Sequence, residues 1–465
     1  MTKKQFRLDC RRGLGSCHVA LNNYENIQKY RNDVLWAVRN AMAYDAQCEG
    51  TRANYIFEMI ERYEDQSEFY QLIYSEAIKS INKRGWKFDH YSELLAHMAS
   101  NGSEQAENAV YELYELILDL LKKNKPLKNG IWAAADNFSS LCVTIITIVI
   151  HEKEDQEAFF LRVIKDYGEL IIKRPSVKCR FTDDWFEDTA SELLGVERVK
   201  ELIGKGIVEP RISAYSDNRE NMTAMREIAR IEQTSETADS IYEKLRSGMR
   251  AGIELPVMLL TTVERENGSA EIERLVDIYS FEEEEELREA LLQLFSRETI
   301  TKAFGEKAID RLISDAQSDN ETLRNQALIV MSNIRSGKVR DFALKKIEAS
   351  PVDEDAFHIL VTNYAPGDGM TLIRYTKNVS TDEQKGNWHS AFIDIIELIC
   401  TDMQADLELS AELLPYIYRN GFCSCCRMET VKMMLERNLL TAEMIDECRY
   451  DSNSEIRRLI VNGDN

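Results

Sequence analysis

Seven prolines and 20 glycines in 465 residues leave this chain few places to turn sharply. Tight β-turns draw on these residues for positive φ and for a pre-set φ of about −65°, so a chain poor in both is not a set of short hairpins. What remains is helix joined by short connections. The apolar residues agree: Tyr55, Ile56, Met59, Ile60 and Tyr63 share one helical face, as do Leu113, Leu116, Ile117 and Leu120, and Leu287, Leu291, Leu292 and Phe295. Helix starts are expected where Ser280 precedes Glu283, Ser380 precedes Glu383 and Ser452 precedes Glu455 at capping-box spacing. Stops are expected at Asn101-Gly102, Asn129-Gly130, Gly248, Gly268, Gly337 and Asn420-Gly421. The pattern predicts many helices of roughly 10–18 residues.

Charge is unevenly spread. The net charge is −22, yet residues 1–180 hold 25 basic and 25 acidic side chains, residues 181–320 hold 17 and 32, and residues 321–465 hold 16 and 23. An acidic middle repels phosphate backbones, which disfavours nucleic acid as a general partner. A basic strip survives at the start, where Lys3, Lys4, Arg7, Arg11 and Arg12 face only Asp9 within the first twelve residues. The opening MTKKQFRLDC does not read as a signal peptide. The longest apolar run, Leu141 to Ile150, is too short to span a bilayer and is expected to be a buried helix continuing from Ile131. Ten cysteines without regular spacing read as reduced thiols, so the expected compartment is the cytoplasm, with no membrane partner.

Residues 1–180 are rich in aromatics and neutral, and a soft boundary to an acidic 181–465 region is expected near Pro175–Ile203. In the latter, Asp319-Asn320-Glu321-Thr322-Leu323-Arg324 is echoed by Ser452-Asn453-Ser454-Glu455-Ile456-Arg457. An aliphatic–Arg pair recurs at Leu287-Arg288, Leu323-Arg324 and Val339-Arg340, with Ala327 and Ala343 three positions after the second and third Arg. The arginine is expected to bridge to a loop carboxylate such as Asp319. This pattern resembles the second-helix entry of HEAT or armadillo-like repeats, clearly in the C-terminal third and by texture elsewhere. The resemblance implies an all-α protein, an α-solenoid of stacked antiparallel helix pairs with an extended concave face. It further implies a protein-interaction scaffold or regulatory subunit, here with a partner that carries a basic surface. The alternatives are a nucleic-acid binder using the N-terminal strip, and an enzyme or small-ligand binder.

Candidate sites are few. Asp45, Gln47, Cys48, Glu49, Arg52 and Asn54 form a dense polar cluster, with Arg39 and Asn40 one turn earlier. It reads either as a recognition patch or buried polar network, or as a turn in which Asp45 or Glu49 pairs with Arg52. Asp183, Asp184 and Trp185 lie in a stretch mixing aromatics and acids that suits a basic peptide, or else a capped helix with Trp185 and Phe186 in the core. Arg39, Asp45, Glu49, Arg52, Asp183, Asp184 and Trp185 are therefore the expected partner-binding residues. Cys423-x-x-Cys426 has the spacing of half a zinc site, but closure would need Cys400 or Cys448, and packing cysteines are the expected reading. Gly13-Leu14-Gly15 lacks the further glycine or Gly-Lys of a phosphate loop and reads as a turn beside solvated arginines. His90 and His97 read as surface or capping residues. No catalytic, cofactor or metal residue is assigned, which does not exclude an enzyme, because catalytic groups converge in space.

Overall fold

A computed structural model describes all residues except 84, 124–129, 175–183, 229–236, 248–267, 296–302, 380–386 and 464–465. Among the described residues there are 26 α-helices, one π-helical turn and no strand. None of these helices is long and apolar enough to cross a membrane. Contacts divide the chain into two units. The first holds Met1–Arg230, Phe422–Met428 and Leu440–Asn465, and the second holds Ile231–Gly421 and Glu429–Leu439. The boundary expected near residue 180 falls inside the first unit, beside residues 175–183, which lie outside the described residues.

In the first unit, helix Lys3–Arg12 begins where Thr2 Oγ1 accepts from Gln5 N at 3.1 Å and ends at Gly13 in the left-handed region, φ 74°. Its Phe6 stacks on Tyr30 at 4.4 Å, the start of an aromatic-rich core. Helices Ser67–Ser80, Lys87–Ser100 and Glu104–Lys122 pack in succession, and Lys87–Ser100 also reaches Ala53–Ile60 and Gly130–Thr144. The apolar run is helical as expected: Gly130–Thr144 passes into the π turn Ile145–Val149, burying Leu141, Cys142, Ile145 and Ile146. The two short helices Ala442–Cys448 and Ser454–Gly463 return to this unit, the former against Ser16–Ala20. Gly13 and Gly15 permit that approach. A Cβ on Gly15 would lie 1.8 Å from Glu447 O, and one on Gly13 2.1 Å from Ser452 Oγ.

In the second unit, helices pack on their neighbours in sequence and on the next but one. The recurrent arginines hold loops together, though not through Asp319. Arg288 bonds the buried Asp315 at 3.1 Å and Glu283 O at 2.6 Å, Arg324 bonds Ser318 O at 2.9 Å, and Arg340 grips Asp368 at 2.9 and 2.6 Å. Ala327 and Ala343 are fully buried, as close helix contact requires.

Several expected boundaries move. Ser280 lies inside helix Gly268–Phe281, its Oγ bonded to Val276 O, and the next helix begins at Glu285 after Glu284. Asn453, not Ser452, accepts from Glu455 N at 2.9 Å; Ser452 Oγ accepts from Arg427 Nη2 at 3.3 Å instead, and Ser452 N donates to Gly13 O. Gly130, Gly268 and Gly337 open helices instead of closing them; a glycine costs a helix least at its first turn. The Ser380 start and the Gly248 stop lie outside the described residues.

Candidate functional site

Within the polar cluster of residues 45–54, Glu49 and Arg52 form a buried junction in the first unit, while Gln47, Cys48 and Asn54 are exposed. Asp45 caps the short helix Ala46–Glu49 by accepting from Gln47 N at 3.0 Å, and Glu49 Oε1 accepts from Asp45 N at 2.8 Å. Glu49 Oε2 takes two further donors, Arg52 Nη2 at 3.2 Å and Ser424 N at 2.9 Å. The Glu49 and Arg52 side chains are 1% and 3% exposed. Although burial works to raise it, Arg52 and the surrounding donors hold the Glu49 carboxyl below its ordinary pKa. Arg52 also donates to Phe422 O at 2.7 Å and to Arg11 O, so one guanidinium joins three distant stretches of chain.

Beside it, Arg427 and Asp451 form a fully buried pair at 2.7 and 3.0 Å, with Arg427 also reaching Gly13 O and Ser452 Oγ at 3.3 Å. Arg457 clamps Glu58 at 2.6 and 2.9 Å. Arg11 and Arg12 are not solvated: their guanidiniums lie 5.6 and 5.2 Å from the Phe422 ring, and Arg12 is buried. Arg7 pairs with the buried Asp33 at 2.6 Å while staying half-exposed, and Lys3 and Lys4 are exposed, so of the N-terminal basic strip only Arg12 is enclosed by the fold.

The same junction gathers thiols. Cys423 Sγ accepts from Cys426 N at 3.5 Å ahead of helix Ser424–Glu436, and Cys425 Sγ donates to Cys48 O at 3.7 Å. The Cys426 thiol is held protonated by its hydrogen bond to Cys423 and by burial. Burial, with Cys423, Glu49 and Cys48 around it, pushes the Cys425 thiol up to about 11. The exposed Cys48 thiol is raised by its hydrogen bond to Asp45.

Thus Asp45, Glu49 and Arg52 come together, whereas Arg39 stays largely exposed, its guanidinium 3.9 Å from Glu76. Trp185 is 51% exposed on helix Asp184–Leu194 while Phe186 is buried, so only one of the two aromatics enters the core. Asp183 and the side chain of Asp184 lie outside the described residues. His90 is no surface residue: it is 1% exposed, its imidazole 3.1 Å from Val38 O.

In the second unit, sequence reading missed His358. Its Nδ1 bonds Asp394, and its Nε2 lies 3.2 Å from Ser390 Oγ and 3.6 Å from Glu354. His358 and Asp394 line a cavity of about 640 Å³ with Arg335, Thr362 and Thr401. Burial opposes protonation, but the Asp394 hydrogen bond and the charges of Asp394 and Glu354 raise the imidazole pKa above its ordinary value. That favours a cation tying two carboxylates over a free base. No sequence motif joins these residues; only helix packing brings 358 to 390 and 394.

No family model and no curated protein matches the chain. A solved crystal structure of an engineered protein is similar at 11% identity, covering 100% of each chain with a TM-score of 0.24, a superposition too poor to establish a shared fold.

Proposed function

We propose that the protein is a protein-binding scaffold of the cytosol whose helices stack as HEAT- or armadillo-like pairs, and that its second unit receives a basic, amphipathic segment of another protein. Three observations support the stacking: the repeated Arg288–Asp315 and Arg340–Asp368 ties, the buried Ala327 and Ala343, and helix contacts with the nearest and next-nearest neighbours. The partner class rests on charge and exposed apolar surface. The second unit carries 38 acidic and 22 basic residues, a net −16. On it, Met403 and Leu407 stand one turn apart, 81% and 74% exposed, on helix Met403–Asn420. Met370, 68% exposed, follows Gly369, whose amide donates to Glu408 at 3.2 Å, so Met370 and Leu407 flank one contact. Apolar anchors in an acidic field suit a cationic helix. The nine described cysteines are all free thiols, which suits a reducing compartment.

A fluorescent amphipathic helical peptide of lysine and leucine tests this by anisotropy. Binding should weaken with added salt, and M403E with L407E should reduce affinity about 10-fold or more. Equal affinity of variant and parent, or indifference to salt, refutes the reading.

A further inference from the structure

The second unit's cavity of about 640 Å³ is lined by two charges of opposite sign that do not meet. Arg335 lies in the connection between helices Glu321–Met331 and Gly337–Ala349, and Glu397 on helix Asn387–Thr401. Among the described residues the Arg335 guanidinium has no carboxylate or carbonyl partner, and the Glu397 carboxylate has no basic one. The first unit's cavity of about 520 Å³ differs: its Lys122, Arg162, Lys165 and Arg211 are answered by Glu169, Glu115 and Glu209. Hydroxyls in the lining around Arg335 and Glu397 narrow the chemistry. Thr362 Oγ1 donates to Ser332 O at 2.6 Å, Ser332 Oγ to Ile329 O at 2.7 Å and Thr401 Oγ1 to Glu397 O at 2.8 Å. Each hydroxyl proton is thus committed, and only lone pairs remain for a ligand. Asp394, bonded to His358 Nδ1, keeps lone pairs as well. The cavity is therefore rich in acceptors and holds one uncommitted cationic donor, Arg335. With the His358 imidazole in its cationic form, it and Arg335 stand against Asp394, Glu397 and Glu354, which leaves one negative charge in excess.

We propose that this cavity binds a free basic α-amino acid, lysine or arginine, with its carboxylate on Arg335 and its two cationic groups on Glu397, Asp394 and the hydroxyl oxygens. Guanidinium and carboxylate form a strong, commonly bidentate pair, which sets the ligand's orientation. The ligand's single positive charge answers the cavity's single negative one. Met370, Met403 and Leu407 do not line this cavity, so the site does not rest on the basic-segment reading. A carboxy-terminal lysine of a peptide shares the carboxylate and the side-chain cation but lacks the α-ammonium, and Nα-acetyl-lysine separates the two sources.

The test is calorimetric titration of the full chain with L-lysine and L-arginine at neutral pH and low salt. Saturable binding is expected with a Kd of about 1 mM or tighter. Cadaverine, which lacks the carboxylate, and norleucine, which lacks the side-chain cation, should each bind about 10-fold more weakly, as should Nα-acetyl-lysine. R335Q should reduce lysine affinity about 10-fold and leave cadaverine affinity unchanged, a split that a merely structural role would not produce. E397Q should weaken both ligands. Both substitutions fall at exposed positions, and their urea midpoints should match the parent's. The proposal is overturned if neither amino acid gives saturable heat, if Nα-acetyl-lysine binds as tightly as lysine, or if either variant binds lysine as well as the parent.

Discussion

His90 shows how a single residue departs from its pattern. Its spacing from His97 suggests a wet face of helix Lys87–Ser100, yet its ring lies in the core against Val38 O. Burial, aided by the Arg52 charge and only partly offset by that hydrogen bond, lowers its pKa from 6.5 to about 4. A folded pKa below the unfolded one means the unfolded chain binds more protons between these values. Stability from His90 is therefore complete above the unfolded pKa and is lost as pH falls through that window. Urea unfolding at about pH 7.5 and pH 5.5 should show the parent losing about 1.4 kcal/mol more than H90Q. Equal losses in both proteins would place the imidazole in water. The polar cluster near Arg52 was visible because six polar residues crowd one junction, but nothing local reveals that Arg52 bonds Phe422 O.

At the scale of the element, helix identity follows from local pattern, and contact between helices does not. Gly168, inside helix Lys153–Lys173, lies so close to helix Pro210–Ile228 that a Cβ would sit 1.7 Å from Arg211 O. Gly204, inside helix Val196–Gly206, meets nothing within 4 Å. G168A should therefore cost about 3 kcal/mol by forcing two helices apart, while G204A should be neutral or stabilising by about 0.5–1 kcal/mol. Urea midpoints of the two variants decide it, and similar effects at both positions would refute the close packing. Both glycines read alike as helix-interior residues; only the neighbouring helix distinguishes them. Boundaries fail for a related reason, since Ser452, whose Oγ accepts from Arg427 and whose amide donates to Gly13 O, leaves the cap to Asn453.

At the scale of the whole molecule, the first unit includes both ends of the chain. Arg427 is compensated by Asp451, Glu58 by Arg457, and His18 stacks at 5.8 Å on Tyr450. Deleting residues 440–465 would strand Arg427 as a buried charge, a loss of about 3–5 kcal/mol for the pair alone. Hydrogen exchange should then show lost protection across helices Lys3–Arg12, Ser16–Ala20 and Ala53–Ile60, with helices of the second unit such as Glu321–Met331 unchanged. Retained protection of the N-terminal helices would show that the C-terminal segment is not needed there.

The all-helical class, the buried apolar run and the recurrent Arg and Ala positions were readable directly from residue order, because helical periodicity and loop-entry chemistry act over a few residues. Which carboxylate answers each arginine and why Gly13 and Gly15 are required were settled only by packing. These are contacts across hundreds of positions, between Arg52 and Phe422 or Cys48 and Cys425, and their strength depends on burial, which no stretch of sequence carries alone.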